Sequence, residues 1–291
     1  MDNGLRPDWL TPDLLPFESR FTEIDGNVVH YLDEGSGPPL LMLHGNPTWS
    51  FLYRHLIALL RGRFRCIAPD LPGFGLSIAA PGYDLRPESH AEVVRLFVDR
   101  LGLDAWTPVL QDWGGPIGVY VAGAAPERIR AMVVLNTFAW PVDDDPHFVW
   151  FSRIMGSAPA GFLIRHFNVF VNFLIPAGTP RSKPDRTVLD AYRRPLDTPS
   201  RRAASHVLPG AIRSSTPFLA EVERRLARLR DVPALIVWGD GDVAFREKER
   251  ARFEASFARA ASLVVPGAGH YMQEEAPREI ATALERFWPE V

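Results

Sequence analysis

Six short apolar runs, spaced along the chain, constrain its fold more than any other feature. They are largely continuous rather than alternating, and they lie at residues 40–43, 64–68, 108–111, 132–135, 234–238 and 263–265. Such runs are expected of strands that are buried on both faces of a parallel sheet. Segments of helical period separate several of them, at residues 88–104, 116–125 and 277–288. This alternation predicts a doubly wound, mostly parallel α/β sheet, preceded by a hairpin of residues 21–24 and 28–32.

Residues 139–212 interrupt the alternation. They are rich in aromatic residues and proline, and no strand signal recurs until Ala234. We therefore expect a helical lid (139–212) inserted over the strand ends of a main domain formed by 1–138 and 213–291. Five apolar residues at helical spacing are expected to pack this lid onto the main domain, with a few of them lining an apolar cavity. They are Leu163, Phe167, Phe170, Val171 and Leu174.

Composition and charge narrow the classes of protein and of partner. Hydrophobic residues make up 46%, charged residues 23%, and the formal net charge is -3, as in ordinary globular proteins. The basic cluster between Arg181 and Arg202 lacks interleaved aromatics, so no nucleic-acid partner is expected. The stretch 162–176 is too short and too polar to span a bilayer, and no membrane partner is expected. The first residues lack a signal-peptide pattern, which favours a cytoplasmic protein; formation of a homo-oligomer is left open.

An aspartate stands where an apolar run meets a pair of glycines. In Val109-Leu110-Gln111-Asp112-Trp113-Gly114-Gly115, Asp112 occupies the centre of a strand-to-helix elbow, where serine hydrolases of this fold class carry serine. A carboxylate is anionic at neutral pH and can attack carbon without a base, giving a covalent ester. Such a nucleophile favours displacement at a saturated carbon or an epoxide.

A histidine and an acid are expected to assist this nucleophile. His270 ends the glycine-rich segment Gly267-Ala268-Gly269-His270, directly after the last apolar run. The acid should lie between nucleophile and histidine in the chain, where Asp240 and Asp242 follow the run 234–238. It would hold the imidazole in one tautomer and stabilise the imidazolium. Asn136 and Thr137, after the run 132–135, cannot serve as acids.

Two residues are candidate donors to developing negative charge. The backbone N–H of Trp113 follows the nucleophile and should help form an oxyanion hole, while its indole N–H can point into the cavity. Asn46 offers a side-chain amide, and nearby His44 is expected to hold the loop structurally. Neutral N–H donors in an apolar pocket suit a weakly hydrated anion such as chloride or bromide.

Four motifs together resemble those of the haloalkane dehalogenases of the α/β-hydrolase superfamily. They are His44-Gly45-Asn46-Pro47-Thr48-Trp49-Ser50, Asp70-Leu71-Pro72-Gly73-Phe74-Gly75-Leu76-Ser77, Gln111-Asp112-Trp113-Gly114-Gly115 and Gly267-Ala268-Gly269-His270. The resemblance implies that Asp112 displaces halide from a small haloalkane and that His270 activates water to hydrolyse the ester. Alcohol, halide and a proton would be released, with no cofactor and no metal.

The resemblance also implies how the remaining roles are distributed. The spacing Trp238-Gly239-x-x-Asp242 is similar to that of the subfamily with a late acid, and so favours Asp242 over Asp240. The same subfamily pairs Asn and Trp donors, here Asn46 and Trp113. Trp140 or Trp150 would be a lower-ranked alternative donor. Val243 departs from the family's frequent proline.

Two other functions compete with this interpretation. Epoxide hydrolases of similar fold use two lid tyrosines to protonate the epoxide oxygen, whereas Tyr192 is the only tyrosine between residues 139 and 212. A non-catalytic binding protein would have no need of Asp112, Asp242 and His270 together.

Overall fold

The computed structural model describes residues 6–288, so the first five and last three residues of the predicted main domain lie outside it. Eight strands form one sheet in the order β1-β2-β4-β3-β5-β6-β7-β8. The strands are β1 Arg20–Ile24, β2 Asn27–Glu34, β3 Pro39–Leu43, β4 Arg65–Pro69, β5 Thr107–Asp112, β6 Met132–Thr137, β7 Ala234–Gly239 and β8 Ala260–Val265. The order and the crossovers are those of an α/β-hydrolase fold, as predicted.

Strand directions follow the predicted hairpin and parallel sheet. β1 and β2 pair antiparallel, β2 joins β4 antiparallel, and all pairs from β4 through β8 are parallel. The expectation of burial on both faces is wrong for β8, whose residues alternate between exposed and half-buried until Val265. β8 is the edge strand beside β7, so it has a neighbour on one side only.

Helices cover both faces of the sheet. They are α1 Arg54–Leu60, α2 Pro87–Arg100, α3 Gly114–Ala122, α4 Pro146–Met155, α5 Ala158–Phe167, α6 Ile175–Ala177, α7 Arg186–Arg193, α8 Ala203–Ser214, α9 Thr216–Arg228, α10 Glu247–Ser256, α11 Met272–Glu275 and α12 Pro277–Phe287. Those predicted at 88–104, 116–125 and 277–288 correspond to α2, α3 and α12. α3 begins two residues earlier than predicted, directly after the elbow. Gly114 and Gly115 allow this because they have no side chain to clash with the adjacent segments of the backbone.

Two apolar cores lie on opposite faces of the sheet. Leu41, Leu43 and Leu110 face a core that includes α2, α3 and α9, while Leu40 and Met42 face a second core that includes α1 and α12. Neighbouring residues of β3 thus contribute to different cores, as the two-residue repeat of a strand requires. Packing against both cores holds the central strands, and therefore the loops at their carboxyl ends, in fixed positions.

Helices α4 to α9 lie between β6 and β7, and α4 to α8 occupy the region where the lid was predicted. The division into two domains stays a proposal, and its boundary at 212 falls inside α8. Phe170 and Val171 are buried as expected, but the prediction is wrong for Leu163 and Phe167, which are 48% and 57% exposed. Asn168 ends α5 in the left-handed region, and the next helical segment departs at an angle of 78°. This bend divides the apolar stripe between two helices with different directions.

The outward side of α4, α5 and the turn that follows carries large exposed apolar side chains. They are Trp150, Ile154, Phe162, Leu163, Phe167 and Phe173. Within residues 6–288, no single helix has the length and apolar composition to cross a membrane, although the bent pair 158–167 and 170–177 meets both criteria when taken together.

A buried ion pair ties α1 and α11 to the lid. Arg54 Nη1 and Nη2 donate to Glu274 Oε1 and Oε2 at 2.5 and 2.8 Å, and both side chains are buried. The hydroxyl of Tyr192 in α7 also donates to Glu274 Oε1. Since α11 follows His270 closely, this contact connects the lid to the loop that bears the candidate base.

Glu274→Leu is expected to destabilise the protein by about 3–5 kcal/mol, because it leaves the guanidinium of Arg54 buried without a counter-charge. Urea unfolding would measure the change in the free energy of unfolding. The double variant Arg54→Met with Glu274→Leu should regain most of that loss, since it removes both charges. A single variant that unfolds at the wild-type urea concentration would contradict this account of the pair.

Candidate active site

Asp112 ends β5 in a strained turn. Its φ is 50°, in the left-handed region that residues with a side chain rarely adopt. The chain turns at once into α3, and this turn brings Gly114 close to β3. A Cβ on Gly114 would lie 2.1 Å from the backbone oxygen of Leu43, so only glycine fits there. A Cβ on Gly45 would lie 2.0 Å from Asp112 Oδ1. The two glycines therefore let the neighbouring loop approach the carboxylate closely.

The two carboxylate oxygens of Asp112 have different surroundings. Oδ1 accepts a hydrogen bond from the backbone N–H of Asn46 at 2.7 Å, while Oδ2 lies 3.6 Å from His270 Nε2. Burial raises the pKa of the Asp112 carboxyl above its usual value, opposed by His270 and by the N–H groups of Trp113 and Asn46. A largely buried carboxylate, with one oxygen held by a hydrogen bond and the other facing a base, is suited to attack an apolar substrate.

His270 lies between two carboxylates. Its Nδ1 is 2.9 Å from Asp242 Oδ2, and its Nε2 faces Asp112. Burial alone would lower the pKa of His270, but the negative charges of Asp242 and Asp112 outweigh burial and raise it. The structure thus brings together the three residues predicted to form the triad.

Asp242, rather than Asp240, contacts the histidine. Asp242 Oδ1 accepts from the backbone N–H of Ala244 at 2.7 Å, which fixes the carboxylate in the loop after β7. Asp240 instead accepts from the backbone N–H of Gly267 at 2.6 Å on the exposed side of the same loop. The preference for Asp242 in the sequence agrees with this geometry.

Sequence reasoning missed the role of Asn136. Its amide cannot serve as the acid, yet its Nδ2 donates to Asp242 Oδ2 at 2.7 Å and to the carbonyl of Gly239 at 3.3 Å. Its Oδ1 accepts from the N–H of Gly239 at 2.9 Å. Asn136 ends β6 beside β7, so adjacency of the two strand ends was the available signal.

Asn46 and Trp113 both line the cavity. The backbone N–H of Asn46 also donates to Asp112 Oδ1, a contact that the sequence did not predict. The side-chain Nδ2 donates to the carbonyl of Ser205 in α8 at 3.3 Å, which leaves one of its two hydrogens for the cavity. Trp113 packs edge-on against Phe138, with ring centroids 5.1 Å apart.

The other predicted candidates lie elsewhere. Trp140 is buried against Phe253, and Trp150 is 61% exposed. Neither residue lines the cavity, so the alternative of a halide donor at Trp140 or Trp150 is wrong. His44 holds the loop as expected: its Nε2 accepts from the N–H of Leu71 at 3.0 Å, and its Nδ1 donates to the carbonyl of its neighbour at 2.9 Å.

The cavity has a volume of about 190 Å³ and is mostly apolar. Lid residues Phe148, Phe170 and Ile212 form part of its wall, opposite the triad. Tyr271 also lines it, with its hydroxyl 3.5 Å from the carbonyl of Asn46. Tyr192, the lid tyrosine, contacts Glu274 and does not line the cavity. The pair of lid tyrosines that an epoxide hydrolase needs is therefore lacking among the residues lining this cavity.

Comparisons with known proteins agree with the fold and with the class of protein that the sequence resembles. A family model described as alpha/beta hydrolase fold matches residues 38–277. The chain is 45% identical to haloalkane dehalogenase 2 of Mycobacterium tuberculosis, over 95% of this chain and 97% of that protein. It is 32% identical to a cis-3-alkyl-4-alkyloxetan-2-one decarboxylase of Shewanella oneidensis, over 95% of this chain and 90% of that protein.

Solved structures give the same family. A putative ancestral haloalkane dehalogenase is 28% identical, with a TM-score of 0.83 over 93% of this chain and 98% of that chain. A haloalkane dehalogenase of Agrobacterium tumefaciens C58 is 28% identical, with a TM-score of 0.82 over 94% and 96%. The similarity extends over most of the chain, and the chain therefore belongs to the haloalkane dehalogenases, within the α/β-hydrolase fold.

Proposed function

We propose that the chain cleaves the carbon–halogen bond of small haloalkanes by hydrolysis, through an ester on Asp112. One observation carries the proposal: the largely buried carboxylate of Asp112 faces an apolar cavity, with His270 Nε2 3.6 Å from its Oδ2 and with Asp242 Oδ2 2.9 Å from His270 Nδ1. Family membership gives the class of reaction, and the roles of individual residues are inferred from geometry.

In the first step, Asp112 Oδ2 attacks the carbon that bears the halogen. The new C–O bond forms as the C–X bond breaks, and the halide leaves with the electron pair. The indole N–H of Trp113, assisted by the free amide hydrogen of Asn46, would hold the halide in the cavity. Neutral donors bind an anion without trapping it as a full positive charge would.

In the second step, water attacks the carbonyl carbon of the ester. His270 Nε2 takes a proton from that water, and Asp242 stabilises the imidazolium. The backbone N–H groups of Asn46 and Trp113 stabilise the oxyanion on the former Oδ1. Collapse expels the alcohol, which takes the proton from His270, and the acid form of Asp112 then ionises. The balance is RX + H₂O giving ROH, X⁻ and H⁺.

Halide release from a small substrate panel tests this function. Dibromoethane, bromobutane and iodobutane should each yield halide with equivalent acid, measured by ion chromatography and a pH indicator. The panel also contains styrene oxide and a cis-3-alkyl-4-alkyloxetan-2-one, the substrate class in the name of the Shewanella relative. Turnover of either one, with no halide from any haloalkane, would replace the proposed reaction. The cytoplasmic location stays a prediction from the sequence, which leaves the formation of a homo-oligomer open.

A further inference from the structure

The residue before the candidate nucleophile contacts the candidate base. Gln111 is fully buried in β5, and its side-chain Nε2 lies 3.0 Å from His270 Nε2 and 3.2 Å from the backbone oxygen of His270. Its Oε1 is buried and has no hydrogen-bond partner among residues 6–288. The mechanism above does not use this side chain.

The partners of Gln111 fix both its orientation and the protonation of His270. A backbone oxygen can only accept, so the amide must present its NH₂ group to His270. The carboxylate of Asp242 can only accept a hydrogen bond from Nδ1 of His270, so Nδ1 carries the ring hydrogen. Nε2 must then carry a lone pair, which accepts the second N–H of Gln111. These contacts are satisfied together only by a neutral imidazole with its lone pair on Nε2.

We infer that Gln111 is a positioning residue, which holds His270 in the neutral, base-competent tautomer and opposes its protonation before the ester forms. Once Nε2 is protonated, two donors would face each other across 3.0 Å. The amide then has to rotate so that Oε1 accepts from Nε2–H, and the bond to the His270 carbonyl is lost. The inference rests on the proposed function, because it assigns Gln111 a role in that reaction.

All the charged groups around His270 favour the opposite state. Asp242 and Asp112 stabilise the imidazolium, and the remaining titratable groups that line the cavity are Tyr271 beside it and His147 in α4. Glu275, at the end of α11, accepts from the N–H of Gly269 at 2.6 Å. Gln111 supplies the hydrogen bond that selects the neutral ring. Without it, an imidazolium would pair with Asp112 and weaken the nucleophile as well as the base.

Substitution of Gln111 should move the pH profile in a defined direction. Gln111→Met keeps the volume and removes the donor, so the neutral ring loses support and its protonation begins at higher pH. The acid limb of kcat/KM for dibromoethane should shift up by about half to one pH unit, the range expected for one neutral hydrogen bond. The rate above that limb should remain within about threefold of wild type. Gln111→Glu adds a negative charge and should shift the limb further in the same direction.

A matched control and a direct measurement separate this role from packing. Gln273→Met changes another fully buried glutamine, which forms no hydrogen bond to a triad residue among those described, and should leave the limb in place. In ¹⁵N-histidine-labelled protein, the His270 resonances, assigned by their absence from His270→Phe, should titrate at higher pH in Gln111→Met. This measurement needs no turnover.

Two results would overturn the inference. One is an equal loss of rate at every pH with an unmoved limb, which indicates packing alone; the other is an unmoved His270 titration in the folded variant. Failure of the proposed function looks different, since wild type itself would release no halide while the His270 titration could still shift.

Discussion

Asp112→Ala is expected to lower halide release from dibromoethane by about 10,000-fold or more, because no ester can form without the carboxylate. Water is a weaker nucleophile than the carboxylate, and nothing would hold it in line with the C–X bond once the carboxylate is removed. Initial rates of bromide release, followed by ion chromatography at matched enzyme concentrations, would measure the loss.

The control for this variant is Asp104→Ala, which removes an exposed aspartate from the loop that precedes β5. It should retain wild-type rates. Thermal unfolding of both variants establishes that they are folded. If Asp112→Ala released bromide within tenfold of wild type, the covalent step would have to be abandoned.

His270→Phe is expected to stop the reaction halfway. The first step needs only the Asp112 carboxylate and the halide donors, whereas the second needs the imidazole as a base. The variant should therefore release one bromide per protein molecule and then stall. Intact-protein mass spectrometry should show an added alkyl group, and peptide mapping should place it on Asp112.

The same substitution at another histidine provides the comparison. His166, exposed in α5, contacts the ring of Phe162 and does not line the cavity, so His166→Phe should turn over normally and carry no adduct. Bromide release by wild type together with an unmodified, fully inactive His270→Phe would refute the two-step mechanism.

Much of the fold could be predicted because burial on both faces of a central strand leaves a continuous apolar run. That signal identified β3 to β7 to within one or two residues, and the hairpin of β1 and β2 was marked by its turn. The signal predicted too much burial for β8. An edge strand is covered incompletely, and only the last residue of β8, Val265, is fully buried. The predicted apolar stripe of the lid is interrupted at Asn168. A single residue in the left-handed conformation changes the direction of the helix without altering the spacing of apolar residues in the sequence.

The residues predicted for the candidate triad come together because each ends a strand or follows one directly. What the sequence could not supply is the layer of hydrogen bonds around them. Asn136 and Gln111 contact the triad through amide groups whose partners are distant in the chain, so that even the motif containing Gln111 does not reveal its contact with His270. The backbone N–H of Asn46 was equally hidden, because every residue except proline has one.

The hydrogen bond between Asn136 and Asp242 suggests how an acid can change its place during evolution. The two side chains end neighbouring strands and differ by an amide in place of a carboxylate, with 2.7 Å between their polar atoms. After Asn136→Asp alone, two carboxyl groups at that distance would share one proton, so one would donate as the amide does now while the other kept its charge. Asp242→Asn would then complete the exchange. A lineage could thus transfer the acid between strands in two point mutations without ever passing through an ancestor that lacked one.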